Sequence, residues 1–274
     1  KLSGKYISND DVKIICDYQG LAKVRALDLS DNQISDDVLL TIFESENLVQ
    51  IEELFLGINF LTGQGLIDIA GSNEIKLKNL KKLVVSDNRL TDLSVAEFMR
   101  SKNFPNLESL DIGWNEVGNE TAKALGEVSA FSSLQCLEME RGYIEVEALK
   151  KMVQGSLMDQ LQELDLSANK LKDEGVQVLA LASKWKSLKA LRLSQNMFGD
   201  DGAKALGESV SLAGLTQLYI GRNYFGAEGA QAIYESKTIT GLKTLVLKEG
   251  VESDPGLVNY SRPELLRPDD PNSI

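Results

Sequence analysis

The sequence predicts an α/β solenoid, a right-handed β-α superhelix bent into a crescent, with about nine parallel strands on its concave face and helices outside. Three observations carry this. The phrase Leu161-Gln162-Glu163-Leu164-Asp165-Leu166-Ser167-Ala168-Asn169-Lys170-Leu171 recurs, with its lead position at Leu107, Leu134, Leu161, Leu188, Leu215 and Leu242 in steps of 27 residues. Upstream the same frame fits at Val24, Ile51 and Leu80, with one longer step between the last two. Within a copy, Leu164-Asp165-Leu166 alternates as a half-buried strand does, while Val176, Val178, Leu179 and Leu181 recur at helical spacing. Neither element buries its apolar face alone. Units must therefore stack, and parallel neighbours need the crossover that the helix supplies.

Residues 1–20 precede the first strand, and Asp10 to Cys16 reads as a short helix with acidic residues in its first turn. It is expected to cap the open end of the core, with Cys16 buried. The first two return segments, residues 35–43 and 62–70, open on Ser35 and Thr62, which can cap a helix N-terminus. Residues 71–79 hold the extra length of the second copy and read as a longer loop, a neutral insertion of the kind solenoids tolerate. The next returns cover residues 91–98 and 119–125, and Pro105 marks a loop after a helix. Gly175, Gly202 and Gly229 stand in register in later helices, where a missing side chain lets neighbours approach. After Gly250 the pattern stops and Pro255, Pro263, Pro268 and Pro271 crowd together. There Leu257, Val258 and Tyr260 are expected to cover the end of the core. The domain division is therefore an N-terminal helical cap at 1–20, repeats at 21–252, and a C-terminal cap and proline-rich tail at 253–274.

The skeleton L-x-x-L-x-L-x-x-N-x-L at this period resembles the leucine-rich repeat over roughly residues 21–250. Phrases such as Phe198-Gly-Asp-Asp-Gly-Ala-Lys-Ala-Leu206 and Phe225-Gly-Ala-Glu-Gly-Ala-Gln-Ala-Ile233 are similar to the ribonuclease-inhibitor type. That resemblance implies return through an α-helix and a protein partner. The turn asparagine is expected to satisfy backbone groups that have left the sheet, each worth about 1–3 kcal/mol if stranded. Gly142 and Gly250 occupy the asparagine place in two copies.

The formal net charge of −12 disfavours nucleic acid and favours a basic protein surface. Cys16 and Cys136 are the only cysteines and are too far apart along a solenoid to bridge, which points to a reducing, cytoplasmic setting. A bacterial protein delivered into a host cytosol fits equally. No stretch is apolar enough to span a membrane and none reads as a signal peptide, although the chain begins at Lys1 and a targeting segment can lie upstream. A capped solenoid exposes no large apolar end, so a monomer is expected. The absence of histidine removes Ser-His-Asp and Cys-His catalysis, and neither a phosphate loop nor a zinc motif is present. The reading is of a protein that is not an enzyme and needs no cofactor or metal.

Recognition is then carried by the residues that point outward from the strands. Asp111, Glu138, Glu140, Glu163 and Asp165 come from three neighbouring strands about 5 Å apart, and such like charges repel unless a partner relieves them. Cys136 stands among them, where its thiol pKa is expected to rise. Just beyond the strand ends come Trp114 and Tyr143, and further along Tyr219 and Tyr224, as aromatic anchors. The expected function is a scaffold binding a basic protein surface on an acidic concave face. Two alternatives are a regulator of a small GTPase, since a GTPase-activating family uses the same helical repeat, and the recognition domain of a bacterial effector.

Overall fold

The structure, a computed structural model, describes residues 1–127 and 130–247. The expected C-terminal cap, its proline-rich tail and Gly250 lie outside those residues. Nine strands, β1 (Ala26–Asp28), β2 (Glu53–Phe55), β3 (Lys82–Val84), β4 (Ser109–Asp111), β5 (Cys136–Glu138), β6 (Glu163–Asp165), β7 (Ala190–Arg192), β8 (Gln217–Tyr219) and β9 (Thr244–Val246), pair in sequence order in one parallel sheet. The register aligns Leu110, Leu137, Leu164 and Leu191 with their counterparts, so the middle residue of every strand is a buried leucine. Helix α1 (Asn9–Asp17) precedes β1. The returns carry α2 (Leu39–Phe43), α3 (Gly63–Gly71), α4 (Asp92–Arg100), α5 (Asn119–Glu127), α6 (Val146–Met152), α7 (Lys172–Leu181), α8 (Asp200–Glu208) and α9 (Ala227–Tyr234).

The N-terminal cap is more than the expected helix. Ser8 and Asp11 close a capping box on α1, which buries Val12 and Cys16. Ahead of it the chain runs along β1, with the Leu2 N–H donating to the Asp28 carbonyl at 2.8 Å. The first return departs from the expected helix start, because Ser35 caps nothing and a 3-10 turn at Asp36–Val38 leads into a five-residue α2. Thr62 does cap α3, accepting from the Gln64 N–H. The extra residues of the second copy are not a neutral insertion. Ile75 and Leu77 are buried, and the Lys76 N–H donates to the Phe43 carbonyl at 2.8 Å. They lie near a run of phenylalanines from successive copies, in which Phe104 meets Phe43 at 5.7 Å and Phe98 at 5.1 Å, and Phe98 meets Phe131 at 5.7 Å.

Three side-chain ladders tie each copy to the next. On the turn side, Asn115 donates its amide to the Val85, Ile112 and Gly113 carbonyls and accepts from the Asn88 and Leu90 N–H groups. Asn32, Asn59, Asn88, Asn196 and Asn223 likewise reach both ways. At the helix starts, Asp92 accepts from Gly118, Glu120 and Thr121 of the following copy, Asp173 from Gly199 and Gly202, and Asp200 from Gly226 and Gly229. Each carboxylate thus caps a neighbour's helix, where it also meets the positive end of the macrodipole. This explains two of the in-register glycines. A Cβ at Gly202 would stand 2.8 Å from Asp173 Oδ1, and one at Gly229 would stand 2.6 Å from Asp200 Oδ1. At the helix ends, Ser45, Ser101, Ser209 and Ser236 donate to carbonyls of the preceding copy.

All three ladders are interrupted where the fifth copy meets the sixth. Asn169, which reaches back to the fifth copy, has its Oδ1 buried with no hydrogen-bond partner among the described residues, and Gly142 removes the amide that would reach from the fifth copy to the fourth. The aspartate place is Val146 and the serine place is Ala182. Helix α6 is short and passes through Gly155 into a 3-10 turn at Ser156–Asp159. Beside it opens a cleft of about 360 Å³ lined by Val153, Val178 and Leu181, and Leu181, despite its helical spacing, is 83% exposed. The β5–β6 pairing and the Asn169 bond to the Met139 carbonyl still span the junction.

Two outcomes are expected. Asn196→Ala strands the Asn169 and Leu171 N–H groups, and urea titration should show a loss of about 2–5 kcal/mol, since each buried unpaired group costs about 1–3 kcal/mol. In native-state hydrogen exchange, the copies before the junction and those after it should open as separate units, because solenoid cohesion is a sum of neighbour terms. A single opening shared by all copies would show that the interrupted ladders do not weaken this junction.

Candidate functional site

The sheet brings the five acids together as expected. Asp111, Glu138 and Asp165 are direct register partners on β4, β5 and β6, with Glu163 at the start of β6 and Glu140 just past β5. Their neighbours divide them into two kinds. Asp111 accepts from the Ser86 hydroxyl at 2.7 Å and the Gly113 N–H at 3.0 Å, and Asp165 accepts from the Ser167 N–H at 2.8 Å. Both therefore help to shape the turn that follows their strand. Glu138 has no such support, and among the described residues its one hydrogen-bond donor is the Cys136 thiol, at 3.8 Å. Burial, then the flanking Asp111 and Asp165 carboxylates, push the Glu138 carboxyl above its ordinary pKa. Burial first and Glu138 second push the Cys136 thiol up to about 11, so it is not a ready nucleophile at neutral pH. Glu163 faces Arg192 at 3.5 Å.

By strand alternation Ala190, Ser167 and Ser194 fall at outward places, yet all three are buried. Ala190 is buried at the start of β7, where it is smaller than its register neighbours Glu163 and Gln217. Ser167 and Ser194 are buried as well, because the chain bends inward after each strand.

That bend sets the aromatics. In eight copies the residue after the last sheet-facing position, from Asp31 and Ile58 through Trp114 and Arg141 to Arg222, has a positive φ. Its N–H carries the sheet pattern onward, as Trp114 does to the Glu140 carbonyl at 2.8 Å, and such bonds offset a left-handed cost of about 1–2 kcal/mol per residue. Trp114 is 43% exposed and Tyr143 55%. Neither stands alone, since the Arg141 guanidinium lies 3.8 Å from the Trp114 ring centroid and the Lys170 ammonium 5.8 Å from that of Tyr143. Arg141 also lines two open clefts, one with Arg89 and Trp114 and one with Gly118 and Tyr143.

Tyr219 and Tyr224 do not join this group. Three strand spacings, about 14 Å, separate β8 from β5. Tyr219 is half-buried beneath Arg192 and donates to Gln217, whereas Tyr224 is widely exposed. The sequence reading missed Ile58, Phe60 and Met197, which are exposed in the same two turn columns as Trp114 and Tyr143. Aligning the copies below one another, column by column beyond the asparagine, would have revealed them.

A family model described as leucine rich repeat matches residues 20–39, 76–99, 105–126, 161–180 and 186–207. The chain has the leucine-rich repeat fold. An internalin from Listeria monocytogenes (inlF, strain 4b F2365) aligns with a TM-score of 0.52 and 20% identity, covering 82% of this chain and 54% of the internalin chain. The present repeats thus span about half the length of that structure. The plant peptide hormone receptor RGFR1 in complex with RGF2 aligns with a TM-score of 0.43 and 20% identity over 78% of this chain and 30% of its own. At 20% identity the likeness to the internalin speaks for the leucine-rich repeat fold alone. No curated protein matches the sequence. Among the described residues, no helix is long and apolar enough to cross a membrane.

The raised Glu138 carboxyl has a consequence for stability. Its folded pKa lies above the unfolded one, so its contribution is fully present below the unfolded value and is lost as pH rises through the folded value. Glu138→Gln should therefore raise stability at neutral pH and remove part of the decline between mildly acidic and neutral solution. Identical urea midpoints for variant and parent at neutral pH would show that the row of acids carries no strain.

Proposed function

We propose that this leucine-rich repeat protein is a protein-interaction module whose concave face receives a basic protein surface. The reading rests on one observation: Glu138 is held between Asp111 and Asp165 with no hydrogen-bond donor among the described residues but the Cys136 thiol, on a sheet face with Glu140 and Glu163 beside it. A cationic side chain from a partner would relieve that repulsion, and the gain appears only on binding. Trp114 and Tyr143, at the edge of the same copies, offer apolar surface for the contact that holds the complex. The helical return in each copy supports the ribonuclease-inhibitor-like type. The net charge of −12 supports steering of a basic partner, and two unpaired cysteines suit a reducing compartment. The module acts as a monomer in this reading and does no chemistry of its own.

Affinity capture from a lysate at low and moderate salt identifies partners, and binding kinetics then test the site. Reversal to lysine at Glu138 and Glu140 should slow association and flatten its salt dependence. Trp114→Ala should speed release with little change in association, costing about 2 kcal/mol or more, as an interface anchor does. A captured partner that binds both variants as tightly as the parent would place its site elsewhere on the molecule.

A further inference from the structure

Beside the acidic sheet runs a band of opposite character. The turn columns that carry Trp114 and Tyr143 also carry Arg141, Lys170 and, one step further, Lys172. All three cations are exposed, and none makes an ion pair among the described residues. By contrast Arg25 and Lys81 share Glu52, and Arg192 faces Glu163, whereas Arg89, like Arg141, makes no ion pair among the described residues and lies over a ring, that of Phe60. Asp92 and Asp173, the carboxylates at this edge, are turned into the next copy's backbone N–H groups and so are spent on capping. Glu116 and Glu145 remain exposed nearby, and neither pairs with these cations.

The two nearer cations are also oriented. Arg141 stacks 3.8 Å from the Trp114 ring centroid, and Lys170 stands 5.8 Å from that of Tyr143. A guanidinium whose face is covered by an indole keeps its N–H edges free, and that planar fork matches a carboxylate bidentately. The ring holds the side chain in place beforehand, so less rotamer freedom is lost on binding. In the same three copies, then, an acidic row on the strands lies next to a preorganised cationic pair on the rim.

We propose that Arg141 and Lys170, seated on Trp114 and Tyr143, form a docking site for a carboxylate-bearing segment of a protein partner, with Lys172 extending it. The site is separate from the acidic row and does not depend on it. A partner that uses both presents acidic and basic side chains side by side, and this fixes the direction in which it lies across the copies.

The test is selection from a displayed library of random peptides on the full chain, followed by fluorescence anisotropy with the enriched peptides. The expected result includes a class rich in Asp and Glu whose affinity falls about tenfold or more in R141E and in K170E, the scale of a lost charge-assisted anchor. R141K should recover only part of it, because an ammonium lacks the fork. The same peptides should bind the variant reversed at Glu138 and Glu140 at least as well as the parent. Urea titration of each variant separates lost docking from lost folding, and K170E serves if R141E is unstable. Failure to enrich acidic peptides, or their undiminished binding to folded R141E and K170E, overturns the rim site. Basic peptides released by reversal of Glu138 and Glu140 report on the acidic row instead, so the two ideas fail separately.

Discussion

The constraint on which this molecule depends is the satisfaction of backbone groups where each copy leaves the sheet. Strands of three residues supply few ladder bonds, and the turn that follows bends inward at a residue with positive φ. Without help, several N–H and carbonyl groups would be buried unpaired in every copy, which no leucine row could offset. The asparagine amide resolves this with one side chain, donating to three carbonyls and accepting from the preceding copy. Because three of the five bonds that Asn115 makes cross to a neighbour, the same residue that closes a turn also fixes the stacking of copies. The aspartate and serine ladders repeat that economy at the two ends of the helices.

The surface chemistry follows from the same repetition. A register that aligns buried leucines must also align whatever lies beside them, so a carboxylate in one column is placed about 5 Å from its neighbour in the next. Asp111 and Asp165 are stabilised by local donors, whereas Glu138 between them is not. The same alignment sets three exposed aromatics against the next copy's cation, Phe60 with Arg89, Trp114 with Arg141 and Tyr143 with Lys170. Charge and aromatic surface are thus sorted into parallel bands by the repeat itself. The interrupted ladders fall in the copy that carries Glu138, Arg141 and Tyr143, so the least tightly bonded junction lies beside the candidate interface.

The sequence by itself determined the number of copies, the strand positions and the inward leucines, because a strict period leaves one register that buries them all. It also determined which acids would meet, since parallel strands in register bring equal columns together. Only the tertiary structure decided what those residues do there. The identity of an aspartate cannot say whether its carboxylate faces solvent or caps a neighbour, and Asp92 and Asp111 differ in just that respect. Nor could the spacing show that Ile75 and Leu77 belong to the core, that Ala190 is shaded, or that Arg141 lies on Trp114. Those outcomes turn on the distances between side chains of different copies. A one-dimensional period fixes which residues become neighbours, whereas the partner each polar atom finds is settled by the packed geometry around it.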